Sequence, residues 1–153
     1  MSVDLATAAS WFEQAKSALI ITGAGLSADS GLPTYRGVGG LYNHDTDDGI
    51  PIEAALSGRS LRNTPELCWR YMARIGRAVA GAEPNAAHHA IARLEQHIPR
   101  VWVLTQNVDG LHERVGTERL VALHGRIADV VCLSCRRTSA RAALHEELSR
   151  LNP

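Results

Sequence analysis

The stretch ITGAGLSADSGLPTYRG, residues 21–37, constrains the fold of this chain more than any other feature. The apolar run ALIIT at 18–22 ends directly at a glycine, as a buried strand does when it leads into a ligand-binding loop. Gly23, Gly25 and Ala28 occupy the fixed positions of the G-x-G-x-x-G/A pattern. Glycines there let the backbone approach a ligand, and the N–H groups of the loop can then hold a pyrophosphate. The sequence therefore predicts an α/β fold with a dinucleotide-binding loop.

The segment after this loop is unusual for such a fold. Gly31 and Pro33 come within two turns and would stop the long crossover helix that normally begins here. A plain tight turn is the alternative to a nucleotide site. Arg36 favours the ligand, because a guanidinium beside a phosphate loop can hold a phosphate or a carboxamide. Its alternative is a solvated surface arginine.

Hydrophobic periodicity places the remaining elements. We expect helices over 4–16, 64–80 and 85–98, strands at 101–105, 120–123 and 129–132, and a polar, Arg-rich helix over 139–150. Thr64 and Pro65 fit an N-cap and a first helical residue. Residues 38–63 lack periodicity and should form a loop with short helical pieces. Three strands make only half of a doubly wound sheet, with the fourth strand outside it.

Polar side chains follow the second and third strands. Gln106, Asn107 and Asp109 come after the second strand, and His124 comes after the third. Ligands of open α/β sheets bind beyond the carboxyl ends of the strands, and amides and a carboxylate suit ribose hydroxyls and a carboxamide. A histidine at that edge can act as a general base near neutral pH. The alternatives are a capped turn around Asp109 and a structural histidine.

The cysteines indicate a metal or a redox pair. Cys132 and Cys135 form a C-x-x-C pair, which is half of a structural zinc site, and no second pair follows before Pro153. A redox pair is the competing interpretation, although the pair does not open a helix as it does in thioredoxin-like units. Cys68 lies on the apolar face of its helix and is expected to be inert core.

Tyr71 and Arg74 are spaced i, i+3 and should share a helix face. A phenol and a guanidinium presented together can bind a carboxylate. The alternative is a surface arginine beside a packed tyrosine.

The composition excludes some classes of function. Sixteen basic and sixteen acidic residues give a formal net charge of zero, which argues against a nucleic-acid-binding protein that relies on bulk charge. The sequence contains no apolar stretch long enough for a membrane span and no secretory signal. An odd cysteine count suits a reducing compartment. We therefore expect a cytoplasmic protein.

The motifs GAGLSADSGLPTYRG, PNAAH, TQNVDGLH, LHG and CLSC, in this order, together resemble the sirtuin family of NAD-dependent protein deacylases. The resemblance covers roughly residues 17–135. It implies a Rossmann-like NAD-binding half at 1–40 and 85–125, a helical insert at 41–84, and the start of a zinc-binding module at 126–153. It also explains the broken helix, because in this family the loop closes over the nicotinamide end of NAD, which is a co-substrate.

The resemblance assigns roles residue by residue. Gly23, Ala24 and Gly25, in the loop that ends at Ala28, would line the pyrophosphate, Tyr35 would lie near the nicotinamide, and Arg36 would hold the loop and the cofactor. Gln106 and Asn107 would contact the nicotinamide ribose, Asp109 would bind the carboxamide region, and His124 would be the general base. Asn107 is assigned to catalysis together with His124, and Ala28 is counted among the cofactor-binding residues. Cys132 and Cys135 would hold half of a structural zinc. The family usually has phenylalanine at the position of Tyr35.

The implied reaction removes an acyl group from a protein lysine and gives nicotinamide and O-acyl-ADP-ribose. The Tyr71–Arg74 pair resembles the subgroup that removes acidic acyl groups, so the resemblance implies desuccinylase and demalonylase activity with deacetylation alongside.

A complete sirtuin core needs about a hundred more residues, including the second cysteine pair. Without them the chain is expected to be unstable or to associate. Three alternatives stay open: a non-catalytic module that binds NAD or ADP-ribose, an interaction fragment without activity, and, more distantly, a hydride-transferring dehydrogenase.

Overall fold

The central element is a three-stranded parallel sheet. The computed structural model describes residues 4–34 and 41–142. Strands β1 (Ser17–Thr22), β2 (Arg100–Thr105) and β3 (Leu120–Ala122) lie in that order, with β2 in the middle. Thr22 is in register with Thr105, and Thr105 with Ala122, so all three strands end at one edge. The three predicted strands of the sheet are confirmed.

The two faces of the sheet differ in burial. Val101 and Val103 of β2 are fully buried, and helix α5 (Ala86–His97) packs against this strand. Leu19 and Trp102, which are partners in the register, point to the other face and are 61% and 49% exposed. Alternating side chains of a strand point to opposite faces, so the core lies on one side of the sheet only.

The glycine loop forms a short 3₁₀ helix, Ala24–Ser30, instead of a crossover helix. It ends at Gly31, whose φ of 81° lies in the left-handed region that favours glycine. The N–H of Gly31 donates to the carbonyl of Ala28 at 2.9 Å. The prediction that this loop does not continue into a long helix is confirmed. Tyr35 and Arg36 lie outside the described residues.

The helices follow the predicted pattern with small differences. They are α1 (Leu5–Gln14), α2 (Ile52–Ala55), α3 (Gly58–Asn63), α4 (Pro65–Gly81), α5 (Ala86–His97) and α6 (Leu111–Arg114), with a further 3₁₀ turn at Leu41–Asn43. The side chain of Thr64 makes no capping hydrogen bond to α4, and its hydroxyl donates to the carbonyl of Ser60 in α3. Asn85 caps α5 through bonds from the N–H groups of Ala87 and His88. No helix in the described ranges is long and apolar enough to cross a membrane.

A small hairpin follows the sheet. Strands β4 (Asp129–Val131) and β5 (Thr138–Ala140) pair antiparallel and form a separate two-stranded sheet. The predicted fourth strand is therefore confirmed outside the main sheet. The predicted helix over 139–150 is wrong at its beginning, because the backbone there pairs with β4. Residues 141 and 142 are helical, and the rest of the predicted helix, from 143 onward, lies outside the described residues.

Candidate functional site

A cleft of about 840 Å³ lies at the edge where the three strands end. It brings together three segments that are far apart in the sequence, namely the glycine loop, the turn after β2 and the residues 124–127 after β3. Its lining residues are Ala24, Gly25, Thr34, Glu53, Leu56, Met72, Ile75, Gln106, Asn107, Val108, His124, Arg126 and Ile127. The sequence-based expectation that ligand-binding groups converge at this edge is therefore met for Ala24, Gly25, Gln106, Asn107 and His124.

Asn107 forms the floor of the cleft and is held by the glycine loop. Its side chain is buried, and its Nδ2 donates to the carbonyl of Gly23 at 3.0 Å and to Oγ of Ser27 at 3.1 Å. Both amide hydrogens are thus used within the protein. A ligand would accordingly meet the amide as an acceptor, through Oδ1, which suits a hydroxyl donor.

Ser27 connects the loop to the next predicted site residue, Asp109. The hydroxyl of Ser27 donates to Oδ2 of Asp109 at 2.7 Å, and the N–H of Leu111 donates to Oδ1 at 3.0 Å. Ser27 is 2% exposed, whereas Asp109 is half-buried, so the bond is open to solvent from the Asp109 side only. Sequence reasoning missed Ser27, although its place inside the glycine motif was a usable signal. The carboxylate is fixed in orientation before any ligand arrives.

Asp109 lies beside a second, smaller cavity that adjoins the cleft. This cavity has a volume of about 50 Å³ and shares Ala24, Ile75, Asn107 and Val108 with the cleft. Pro33 also lines it. The carboxylate therefore lies at a recess of the cleft that Pro33 also lines.

The backbone of the glycine loop leaves room for a ligand. An added Cβ at Gly23 or Gly25 would meet no atom within 4 Å, and neither residue has a positive φ. Neither packing nor backbone conformation therefore requires glycine at these two positions. Close approach of a ligand to the backbone is a remaining physical reason for glycine there.

His124 and Gln106 are exposed at the mouth of the cleft. His124 comes two residues after the end of β3, as expected from the sequence. Arg126, which sequence reasoning missed, also lines the cleft, and its Nε donates to Oε1 of Glu113 at 2.8 Å. This half-exposed ion pair partly neutralises the only arginine among the described residues that line the cleft.

Tyr71 and Arg74 lie together but do not line the cleft. The phenol oxygen of Tyr71 accepts a hydrogen bond from the N–H of Asp47 at 2.8 Å, and the ring is buried. Arg74 lies over that ring at 4.9 Å and pairs with Oδ2 of Asp47 at 2.6 Å. The hydrogen bond from Arg74 and its charge hold the pKa of the Asp47 carboxyl below its ordinary value.

Met72 and Ile75, one position further along α4, face the cleft instead. Successive residues of a helix are turned by about 100°, so a shift of one residue changes which side chains meet the ligand. The expectation that Tyr71 and Arg74 bind an acyl carboxylate stays a prediction, and the arrangement of α4 does not favour it.

Cys132 and Cys135 lie in the connection between β4 and β5, and both are exposed and free. Backbone hydrogen bonds from Cys135 and Ser134 lower the pKa of the Cys132 thiol. A thiol with a lowered pKa is a better metal ligand, because zinc binds the thiolate. Within the residues that the structure describes, no cluster of three or more His, Cys, Asp and Glu side chains could hold a metal. The half zinc site expected from the sequence therefore stays a prediction. Cys68 is buried, and burial raises the pKa of its thiol, as expected for core.

A parallel sheet with a glycine loop after its first strand, and with polar groups gathered beyond its carboxyl edge, defines a dinucleotide-binding α/β protein. Residues 23–152 match the Sir2 family, and the chain belongs to that family. It is 58% identical over 140 residues to "NAD-dependent protein deacylase 2" of Pseudomonas syringae pv. tomato. It is 54% identical over 143 residues to the protein of the same name in Pseudomonas aeruginosa.

The alignments cover 90% and 92% of this chain but 56% of each relative, so the chain spans about half the length of these relatives. Solved structures agree with the fold. A mutant Sir2 homologue in complex with ADP-ribose superposes with a TM-score of 0.79 at 36% identity, covering 90% of this chain and 53% of that one. A Sir2 homologue in complex with NAD gives 0.77 at 34% identity, covering 91% and 52%.

Proposed function

We propose that this chain carries the NAD-binding part of an NAD-dependent protein lysine deacylase. The full reaction would consume NAD and an acyl-lysine protein substrate and give nicotinamide, the free lysine and O-acyl-ADP-ribose. The observation that carries the proposal is the bonded group Asn107–Ser27–Asp109, which joins the glycine loop to the turn after β2 at the floor of the cleft. The names of the two Pseudomonas relatives support the same chemistry.

The residues of the cleft have distinct proposed roles. The N–H groups around Ala24 and Gly25 would hold the pyrophosphate, as backbone donors of such loops do. Asn107, whose amide hydrogens are already used, would accept from a ribose hydroxyl through Oδ1, and Gln106 would contact the same ribose. Asp109, at the recess, would bind the carboxamide of nicotinamide.

His124 is the proposed general base. It lies at the open mouth of the cleft, where its imidazole could take a proton from a ribose hydroxyl. The co-substrate supplies the reactive carbon of the nicotinamide ribose, with nicotinamide as leaving group. The protein supplies orientation and a fixed set of dipoles, which give most of the rate in enzymes of this kind.

The acyl group would meet an apolar part of the cleft. Leu56, Met72, Ile75 and Ile127 line it on the side of α2 and α4. Apolar side chains favour an uncharged acyl group such as acetyl, because a buried carboxylate without a partner is strongly disfavoured. Removal of succinyl and malonyl groups through Tyr71 and Arg74 remains a finer prediction, and it would require Arg74 to leave Asp47.

Cys132 and Cys135 would supply two of four thiolates to a structural zinc. The lowered pKa of Cys132 and the exposed position of both thiols support this role. The structural zinc would stabilise the hairpin and take no part in the reaction.

Nicotinamide release tests the proposed reaction directly. The chain is incubated with NAD and an acetyl-lysine peptide, and nicotinamide is quantified for the wild type, for H124A and for the control H97A, which changes an exposed histidine at the end of α5. We expect release by the wild type and H97A, and a loss of about 100-fold or more in H124A, in the range of general acid–base catalysis. Equal release by all three would contradict the role of His124.

The acyl preference is tested with Arg74→Met. If Arg74 binds an acyl carboxylate, turnover of succinyl-lysine falls while turnover of acetyl-lysine stays. The apolar cleft predicts low succinyl-lysine turnover in the wild type already and little effect of the substitution. A selective loss of succinyl-lysine turnover would restore the role of Arg74.

A second candidate is a module that binds NAD or ADP-ribose without catalysis. The buried and bonded groups of the cleft floor would all serve cofactor binding, whereas His124 is the single histidine among the lining residues described. Binding of ADP-ribose without nicotinamide release would select this function.

A further inference from the structure

Two buried histidines lie behind the cleft floor and have no role in the proposed reaction. His88 is in the first turn of α5, and His112 is in α6. Their side chains are 0% and 1% exposed, and their rings meet edge-on with centroids 5.1 Å apart. Neither residue lines the cleft. Each ring is nevertheless connected by hydrogen bonds to one of two segments of the cleft, the glycine loop or the turn after β2.

His112 is connected to the turn that carries Asn107. Its Nε2 lies 3.0 Å from Oγ1 of Thr22, and the hydroxyl of Thr22 donates to Oγ1 of Thr105 at 2.9 Å. The same Thr105 oxygen accepts the backbone N–H of Asn107 at 3.1 Å. Since the hydroxyl hydrogen of Thr22 is already used, Nε2 of His112 is the donor. The neutral ring therefore has a bare Nδ1.

His88 is connected to the glycine loop through Asn85. The backbone N–H of Asn85 donates to Nδ1 of His88 at 3.3 Å, and the same Nδ1 lies 3.0 Å from Oδ1 of Asn85. The side-chain amide of Asn85 donates to the carbonyl of Leu26 at 2.8 Å and to Oγ of Ser30 at 3.0 Å. The ring thus fixes the residue that holds the loop from behind.

Protonation would disturb both connections. Nδ1 of His112 has no hydrogen-bond partner in the described part of the chain, so an added N–H there would be buried without an acceptor. Nε2 of His88 also has no hydrogen-bond partner among the described residues, so the cationic ring would bury an N–H there without an acceptor, and its Nδ1–H would face the backbone N–H of Asn85, which donates to that atom at 3.3 Å. Two adjacent buried cations would also repel each other.

The charges around the pair do not reverse this preference. Burial is the largest influence on both rings and lowers the pKa of each below its ordinary value near 6.5. The charge of His112, and to a smaller extent that of His89, lowers the pKa of His88 further, while Asp109 raises it. Asp109, Glu113 and Glu95 raise the pKa of His112 but do not offset its burial.

We propose that His88 and His112 are positioning residues whose neutral pair holds the glycine loop and the turn after β2 in the arrangement that binds the ADP-ribose part of NAD. The inference rests on the proposed NAD site. It makes the site sensitive to acid through residues that touch neither cofactor nor substrate.

The direction of the pH effect is set by the lowered pKa values. The unfolded chain binds protons at its histidines below about pH 6.5, whereas the folded pair stays neutral to lower pH. Stability from the pair is therefore complete above pH 6.5 and is lost as the pH falls toward the pKa of the folded pair. Within that window the unfolding equilibrium constant should rise up to about tenfold per pH unit for each histidine.

The test combines binding and NMR on the full chain. The affinity for ADP-ribose is measured by calorimetry between pH 7.5 and 5.0 for the wild type, for H112Q, for H88Q and for the control H89Q, which changes an exposed histidine beside His88. We expect the wild type and H89Q to lose about tenfold or more in affinity over this range. H112Q or H88Q, whichever folds, should bind about tenfold more weakly at pH 7.5 and depend less on pH.

NMR separates a failure of this inference from a failure of the proposed function. The histidine Cε1–H signals report protonation, and the amide signals of Leu26 and Asn107 report the two segments. We expect the chemical shifts of both amides to change with pH at the same midpoint as the protonation of the histidine pair, whether or not ADP-ribose binds. Titration of the pair at pH 6.5 with both amides unmoved would overturn the inference, as would pH dependence of binding in H112Q and H88Q equal to that of the wild type. If ADP-ribose does not bind at pH 7.5, the proposed function fails and the amide shifts alone decide the positioning role.

Discussion

The covered and the open face of the central sheet have the same kind of residues but different surroundings. Val103 on the covered face is fully buried, while Val121 and Ile21 on the open face are 39% and 64% exposed. The site is built from the covered face and the carboxyl edge: Thr22 and Thr105 bond to each other there, above His112. The residues of the cleft floor are therefore held in place by contacts on the covered face of the sheet, and, among the described residues, the open face contributes nothing to them.

The open face of the sheet exposes apolar side chains that another protein segment could bury. Leu19, Ile21, Trp102 and Val121 form a patch across three strands in the part of the chain that the structure describes. Exposed apolar patches of this kind are typical of surfaces that bind another protein segment. Association of the chain, expected from the sequence, would have this face as its natural surface.

The largest expected effect compares one substitution on the two faces. V103A removes two fully buried methyl groups and should lower the free energy of unfolding by about 2 kcal/mol. V121A on the open face should change it by no more than about 0.5 kcal/mol. Urea denaturation followed by circular dichroism measures both. Equal losses would mean that the open face is covered in solution, and a concentration-dependent midpoint would identify a second copy of the chain as the cover.

The next effect concerns the glycine loop at the carboxyl edge. Gly25→Ala adds a Cβ into open space at a position without a positive φ, so the free energy of unfolding should stay the same or rise slightly. The affinity for ADP-ribose should nevertheless fall about tenfold, because the methyl group occupies the space of the pyrophosphate. Calorimetry and thermal unfolding check the two halves of this prediction. Gly81→Ala, at the end of α4 and also without a near neighbour, is the matched control.

Unchanged affinity in G25A would show that the loop does not approach a ligand closely. A loss of stability in G25A would instead give the glycine a structural role. Either result would contradict the claim that Gly25 is required for ligand binding and not for packing.

The smallest effect is expected at the hairpin. Cys132→Ser changes an exposed side chain that does not line the cleft, so stability and ADP-ribose affinity should change by no more than about 0.5 kcal/mol without metal. Zinc uptake, followed by a chromogenic chelator, should be lost. S134A, between the two cysteines, serves as the control and should bind zinc like the wild type. Equal zinc uptake by C132S and the wild type would remove the cysteine pair from the metal site.

Much of the fold could be predicted from the sequence because its signals are local. The run ALIIT, the glycines at 23 and 25 and the breakers Gly31 and Pro33 each act within a few residues, and they gave the first strand and the broken helix. The position of Asn107 and His124 at one edge followed from the parallel strands that precede them. Placing both residues at one edge required only that the two preceding strands run in the same direction.

The rest depended on contacts that sequence spacing does not contain. Tyr71 and Arg74 share a helix face, but which face of α4 meets the cleft depends on how α4 packs, and Asp47 holds both residues on another side. The contacts of Ser27 and His112 join residues that are 80 and 90 positions apart in the sequence. His88 acts through Asn85, whose bond to Leu26 spans 59 positions. No periodic pattern marks contacts of that length.

The most direct test of the central claim is the binding of ADP-ribose to this chain at pH 7.5 by calorimetry, with N107A as the variant and N63A, at the exposed end of α3, as the control. A preformed cleft floor predicts saturable binding of one ligand per chain by the wild type and N63A, with affinity at least about tenfold lower in N107A. Absence of binding by the folded wild type, or equal binding by N107A, would contradict the claim that Asn107 and the glycine loop form the cofactor site.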